Sequence, residues 1–234
     1  DLPIPGEVGR MAAMTAKQVI TQKLREAERE IIYNEYKEHE GEVLIGTVQR
    51  REGRVVLVDI GKTAGVILPQ DQVRTERYES GQRIKVYVRE VSLGSRGPQI
   101  CLSRSSTELV KALFDLEIPE IADEIVVIKA MAREPGARTK VAVHTDDESI
   151  DPIGACIGQR GVRIQTIITE MGGEKIDIVE WSEDSKQFIE NALSPAKISR
   201  VELNEEDMEA AIIVENDQLS LAIGRGGQNV RLAS

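Results

Sequence analysis

Ile157-Gly158-Gln159-Arg160-Gly161-Val162 and Ile223-Gly224-Arg225-Gly226-Gly227-Gln228 decide how this chain is read. Each is a Gly-x-x-Gly turn with a basic residue inside it. Each follows an apolar run (Ile153, Ala155, Ile157; Leu219, Leu221, Ile223) and precedes helix-friendly sequence. Gly158 to Gly224 and Gly161 to Gly227 are both 66 positions apart. A pattern that recurs with the same neighbours is stronger than a single match. The spacing predicts a helix, a tight glycine turn and a second helix. Glycine admits left-handed backbone and lets another backbone come close. The turn's N–H groups and the next helix's N-terminus then suit an anion such as phosphate. The alternative is a plain helix–helix turn.

Outward from these turns, the charge is uneven. The net charge is −10, which argues against a general polyanion binder. Yet no acidic residue falls between Ile153 and Thr169, where Arg160 and Arg163 lie, or between Gln218 and Ser234, where Arg225 and Arg231 lie. The acids concentrate elsewhere, as in Asp146-Asp147-Glu148 and Glu205-Glu206-Asp207, and read as solvated faces. With 41% hydrophobic but 3% aromatic residues, the 234-residue chain fits two or three small Ile/Val/Leu/Ala cores. Cys101 and Cys156 read as reduced, buried thiols of a cytoplasmic protein. No signal peptide or membrane-length apolar run is present, and His39 and His144 have no companions at ligand spacing. The expectation is no metal, no cofactor and no catalytic triad.

The chain opens at Asp1 with Pro3, Pro5 and Gly6, as a piece of a longer protein would. A helix is expected from Thr15, as a cap, to Glu40, with an apolar stripe of Ile20, Leu24, Ala27 and Ile31 that must pack on something, either the following domain or a preceding part of a longer protein. Five short strands follow, at 42–51, 54–60, 65–68, 83–91 and 99–103. In the fourth, Ile84, Val86 and Val88 alternate with Lys85, Tyr87 and Arg89. Short strands at this spacing suggest a small closed barrel. The residues Gly46-Thr47-Val48, Val58-Asp59-Ile60-Gly61, Gly65-Val66-Ile67-Leu68-Pro69 and Gly81-Gln82-Arg83-Ile84-Lys85-Val86 resemble the OB-type barrel of ribosomal protein S-one. Such barrels carry aromatic residues on the second strand, where stacking contributes about 1–3 kcal/mol per base. Here that strand is Arg54-Val55-Val56-Leu57-Val58. Weak RNA binding is expected, with Arg50, Arg51 and Arg54 as phosphate contacts, or a structural or protein-docking role.

From Ser105 the pattern changes to helix, strand, strand, helix, turn, helix, strand, ending in Lys175-Ile176-Asp177-Ile178-Val179. That order resembles a bacterial-type KH module. It restarts at Ser185, and the chain stops seven residues after Gly227, so the second copy is expected to lack its final strand and to be the less stable. The expected organisation is multidomain α+β: a connector helix over 1–40, an OB-type barrel over 41–104, and two tandem KH modules over 105–181 and 182–234.

The blocks Asp115-Leu116-Glu117-Ile118-Pro119-Glu120-Ile121, Gly154-Ala155-Cys156-Ile157-Gly158, Gly172-Gly173-Glu174-Lys175-Ile176-Asp177-Ile178, Asn191-Ala192-Leu193-Ser194-Pro195-Ala196-Lys197 and Leu219-Ser220-Leu221-Ala222-Ile223-Gly224 resemble the NusA family of bacterial transcription factors. The resemblance implies a non-enzymatic factor that binds nascent single-stranded RNA and RNA polymerase, with other Nus factors as partners, in pausing, termination and antitermination. Polymerase contact would run mainly through an N-terminal domain of which 1–40 is the remnant. Each loop would clamp the backbone of about four nucleotides. The expected RNA-binding residues are Gly158, Gln159, Arg160, Gly161 and Arg163 in the first module, and Gly224, Arg225, Gly226, Gly227, Gln228 and Arg231 in the second. Ile157, Ile164, Ile223 and Val230 are expected as core or groove floor. Two rivals stand beside this reading: an accessory fragment of an RNA-processing enzyme, and a protein-interaction module with structural turns.

Overall fold

The structure, a computed structural model, describes residues 6–234; Pro3 and Pro5 lie outside them. The chain divides into two compact units. The first runs to Pro69 and resumes over Tyr78–Ser103; the second comprises Gln70–Arg77 and Arg104–Ser234.

In the first unit, helix α1 spans Gly6–Glu38. It begins nine residues before the expected Thr15. Met11, Ala12, Ala13 and Met14 are good helix formers and carry the helix through that point, so Thr15 is interior and not a cap. The expected stripe does not pack among the described residues: Ile20, Leu24 and Ile31 are about 60% exposed. A different, later face docks. Ile32, Tyr33 and Tyr36 cover the barrel core, and the Tyr36 hydroxyl donates to the Ile60 carbonyl (2.9 Å) while accepting from the Lys62 N–H (3.1 Å).

The strands are β1 (Val43–Glu52), β2 (Val55–Asp59), β3 (Ala64–Ile67), β4 (Arg83–Gly94) and β5 (Gly97–Ser103). They close into a barrel in the order β1-β2-β3-β5-β4, with β3 and β5 parallel. Val48, Val56, Val58, Ile67, Val86 and Leu102 fill it. The alternation in β4 does not run to Val91 as expected. A bulge between Val88 and Glu90 adds a residue, which turns Val91 inward. The motif glycine Gly65 is a packing requirement, since a Cβ there would stand 2.5 Å from Leu102.

In the second unit, α2 (Thr107–Glu117) is capped by Ser106, and α3 (Pro119–Ala122) follows with proline in its first turn. Strands β6 (Val127–Glu134), β7 (Arg138–His144) and β8 (Lys175–Glu180) form a sheet in the order β6-β7-β8, with β7 and β8 parallel. Helices α4 (Pro152–Ile157) and α5 (Val162–Glu170) connect β7 to β8 and pack against β8, while α2 packs on α5. Leu109, Leu113, Phe114, Val141, Cys156 and Ile167 form the core between these layers. Segment Gln70–Arg77 joins this unit: buried Arg104 pairs with Glu76 and donates to the Glu170 carbonyl (2.9 Å). Buried Glu174 accepts from Arg133, the Gly136 N–H (2.6 Å) and Thr139.

The order then repeats as α6 (Ser185–Ala192), β9 (Arg200–Asn204), β10 (Glu209–Ile213), α7 (Leu219–Ile223) and α8 (Gln228–Ala233). This sheet has two strands, β9 and β10. The whole is the expected α+β arrangement of a long helix, a five-stranded barrel and two KH-like modules.

Candidate nucleic-acid interface

The two glycine turns have the same backbone. In the first, Gly158 lies at φ 72, ψ 177, Arg160 at φ 54, ψ 23 and Gly161 at φ 73, ψ 16. In the second, Gly224 lies at φ 76, ψ 170, Gly226 at φ 62, ψ 25 and Gly227 at φ 76, ψ 12. The hydrogen bonds match too. The Gly161 N–H donates to the Gly158 carbonyl, and the Gly227 N–H to the Gly224 carbonyl, each at 3.1 Å. Positions 158 and 224 occupy a region that is essentially glycine-only. They are also crowded: a Cβ at Gly158 would stand 2.7 Å from the Arg163 side chain, and one at Gly224 would stand 2.7 Å from the Asn229 backbone nitrogen.

The helices after the turns start at glycines, so no capping side chain bonds their first N–H groups. The Val162 and Gln228 N–H groups bond to the Gln159 and Arg225 carbonyls within the turn, and the N–H groups that follow can donate to an incoming anion. Before the turns, the last carbonyls are capped from the far side. Arg163 Nη1 donates to the Ala155 carbonyl (2.8 Å) and to Glu120 (2.7 Å). At the same 66-residue offset, Asn229 Nδ2 donates to the carbonyls of Leu221 (3.3 Å), Ala222 (3.1 Å) and Leu193 (3.0 Å). Two chemically different side chains thus do one job.

The expected site residues fall into two groups. Gln159, Arg160, Arg225 and Gly226 are exposed at the turn tips, and Arg160 and Arg225 make no ion pair among the described residues. Arg163 is committed to Glu120, as above. Gln228 donates to Glu134 (2.9 Å), and Arg231 pairs with the same carboxylate through Nε while its Nη1 donates to the Gly226 carbonyl (3.1 Å). The Arg231 bond first, and the Gln228 bond second, hold the Glu134 carboxyl below its ordinary range. Glu134 was not among the residues the sequence singled out. Its sole signal, an acid at the end of a strand, is commonplace.

Around the turns, Ile157, Ile223 and Val230 are not core: each is 38–44% exposed, and only Ile164 is half-buried. They form an apolar border to the turns. Strand β8 is an edge strand, so the outer side of its backbone has no strand partner among the described residues. Cys156 is buried, and burial pushes its thiol up to about 12, out of the reactive range. In the barrel, Arg50 pairs with Glu52, Arg51 lies 5.6 Å from the Tyr78 ring centroid, and Arg54 is exposed at the β1–β2 turn. Among the described residues, no helix is long and apolar enough to cross a membrane, and no cluster of three His, Cys, Asp or Glu could hold a metal.

Family models match three stretches: the NusA N-terminal domain over residues 1–30, the NusA-like first KH domain over 104–181 and the NusA-like second KH domain over 185–234. Relatives of this chain that carry the name transcription termination/antitermination protein NusA include those of three bacteria. That of Thermus thermophilus is 51% identical over 100% of this chain and 61% of its own length. That of Halalkalibacterium halodurans is 49% identical over 98% and 60%, and that of Bacillus subtilis 48% identical over 98% and 62%. The chain therefore spans about three fifths of the length of these curated relatives.

Proposed function

The chain belongs to the NusA family, and from that premise we propose that it is the RNA-holding region of a transcription termination and antitermination factor. The observation that carries this reading is the pair of turns with one backbone geometry, each presenting an unpaired arginine beside uncapped helix N–H groups. A phosphate seated at a turn meets these donors and one cation, Arg160 or Arg225. The left-handed glycines let the sugar-phosphate backbone lie against the protein backbone. Each turn clamps about four nucleotides of single-stranded RNA. Bases lying over the apolar border reach the open edge of β8, where backbone groups read their hydrogen-bonding edges. The 2′-hydroxyls supply the distinction from DNA.

With one uncommitted arginine at each turn, in a chain of net charge −10, few counterions are released and the salt dependence is shallow. Arg50, Arg51 and Arg54 make at most a minor contribution. In this reading the protein works in the cytoplasm on nascent transcripts, and RNA polymerase is engaged chiefly through sequence N-terminal to the barrel.

The test is a titration of a fluorescent single-stranded RNA of about a dozen nucleotides. The parent is compared with Gln159→Asp/Arg160→Asp and with Arg225→Asp/Gly226→Asp, each checked for folding. The reading expects both variants to lose affinity. Equal binding by all three would move the site to the barrel, and no binding by the parent would favour the protein-interaction reading.

A further inference from the structure

The two turns share a backbone but not a means of holding it. At one position the first carries Arg160 and the second Gly226, both left-handed (φ 54 and φ 62). A glycine there relieves the left-handed strain that Arg160 carries, but it leaves the tip with no side chain and with more backbone freedom. Something outside the turn compensates. Arg231 donates to the Gly226 carbonyl, and the same guanidinium is held by Glu134 at the end of β6 in the first module. Gln228, the first residue of α8, is tied to the other oxygen of that carboxylate (2.9 Å). Among the described residues, the first turn has no such relay. Gln165, the residue at the position of Arg231, reaches only Thr169 at 3.5 Å.

We propose that Glu134 of the first module is the positioning residue for the second module's RNA-binding turn, acting through Arg231 and Gln228. The second cleft is then shaped for a single-stranded RNA backbone only while it is docked on the first. The two modules hold RNA as a coupled pair, and the first is the organiser. α8 also packs against β6 and β7 and buries Leu232, so the carboxylate fixes the orientation of a helix already in place. The proposal rests on the reading of the second turn as an RNA site, and one arm of its test does not.

Glu134→Ala and Glu134→Gln are made in the full chain, with circular dichroism and thermal unfolding to confirm the fold. The first readout is amide hydrogen exchange without RNA. In the native protein the Gly227 and Gln228 N–H groups bond to Gly224 and Arg225, and the Gly161 and Val162 N–H groups bond to Gly158 and Gln159. Glu134→Ala should speed exchange at Gly227 and Gln228 about fivefold and leave Gly161 and Val162 unchanged. Glu134→Gln, which keeps an acceptor, should fall between. The second readout is a double-mutant cycle with Arg225→Ala on the dozen-nucleotide RNA. That change should cost about fivefold in the parent and under about twofold in Glu134→Ala, because a disordered turn no longer aims Arg225. The cycle also removes any uniform gain from a freed Arg231. Unchanged exchange at Gly227 and Gln228, or an equal Arg225 penalty in both backgrounds, would overturn the proposal. If Arg225→Ala costs nothing in the parent, the RNA reading of this turn fails, and exchange alone still decides whether Glu134 positions it.

Discussion

The first module builds its glycine turn from its own residues, and the second borrows support from its neighbour. Module one places Arg160 in a left-handed conformation, ties Arg163 to Glu120, and backs the turn with three strands. Module two uses Gly226, a buried Asn229 and a carboxylate from module one. The backbone angles nevertheless coincide. One backbone shape thus tolerates quite different side-chain scaffolding, provided that the two glycine-only positions and the carbonyl cap are kept.

The largest effect that could break this comparison is at the first glycines. Alanine at Gly158 or Gly224 enters a region that costs about 1–3 kcal/mol. At Gly158 the neighbour is the flexible Arg163 stem, whereas at Gly224 it is the Asn229 backbone. Gly224→Ala should therefore cost about 1 kcal/mol more than Gly158→Ala, read as hydrogen-exchange protection within each module. Equal costs would mean that the surroundings do not matter. The caps come next. Asn229→Ala exposes three carbonyls to a dry site and should cost about 2 kcal/mol, against about 0.5–1 kcal/mol for Arg163→Ala, whose ion pair is one-third exposed. Chemical denaturation with module-resolved probes separates them.

Swapping the tip residues sharpens the contrast with a change of sign. Arg160→Gly relieves a left-handed side chain and should stabilise module one by about 0.5–1 kcal/mol while weakening RNA binding about fivefold. Gly226→Arg should do the reverse in module two. The smallest effect is in pH. The Glu134 carboxyl is held below its ordinary value of 4.5, by Arg231 first and Gln228 second. A lowered folded-state pKa contributes stability above the ordinary carboxylate range and loses it as pH falls through the lowered value. The Gly227 and Arg231 resonances should therefore be flat from neutral pH to about 4.5 and shift only below it. In Glu134→Gln that shift should vanish.

Much of this was legible in the sequence. The 66-residue repeat fixed both turns because glycine there answers to backbone geometry, which sequence records directly. Barrel strands were legible from alternation, except where the bulge before Glu90 shifted the register. What stayed hidden was long-range. Windows without acids suggested free arginines at 163 and 231, but topology brings Glu120 from 43 residues away and Glu134 from 97. Likewise, Gln70–Arg77 lies within the stretch read as barrel, yet Glu76 pairs with Arg104 in the second unit. Periodicity could not announce either, since both depend on which elements pack together. The stripe on α1 shows the same limit: spacing identifies an apolar face but not which element covers it, and the barrel does not.

The most direct test of the central claim, two discrete RNA clefts with a common backbone design, is an affinity series over single-stranded RNAs of about three to fourteen nucleotides at fixed salt. The account predicts a first plateau near four nucleotides, when one turn is filled, and a second gain of at least about tenfold once one strand reaches both turns. A single smooth rise in proportion to the number of binding registers would contradict it.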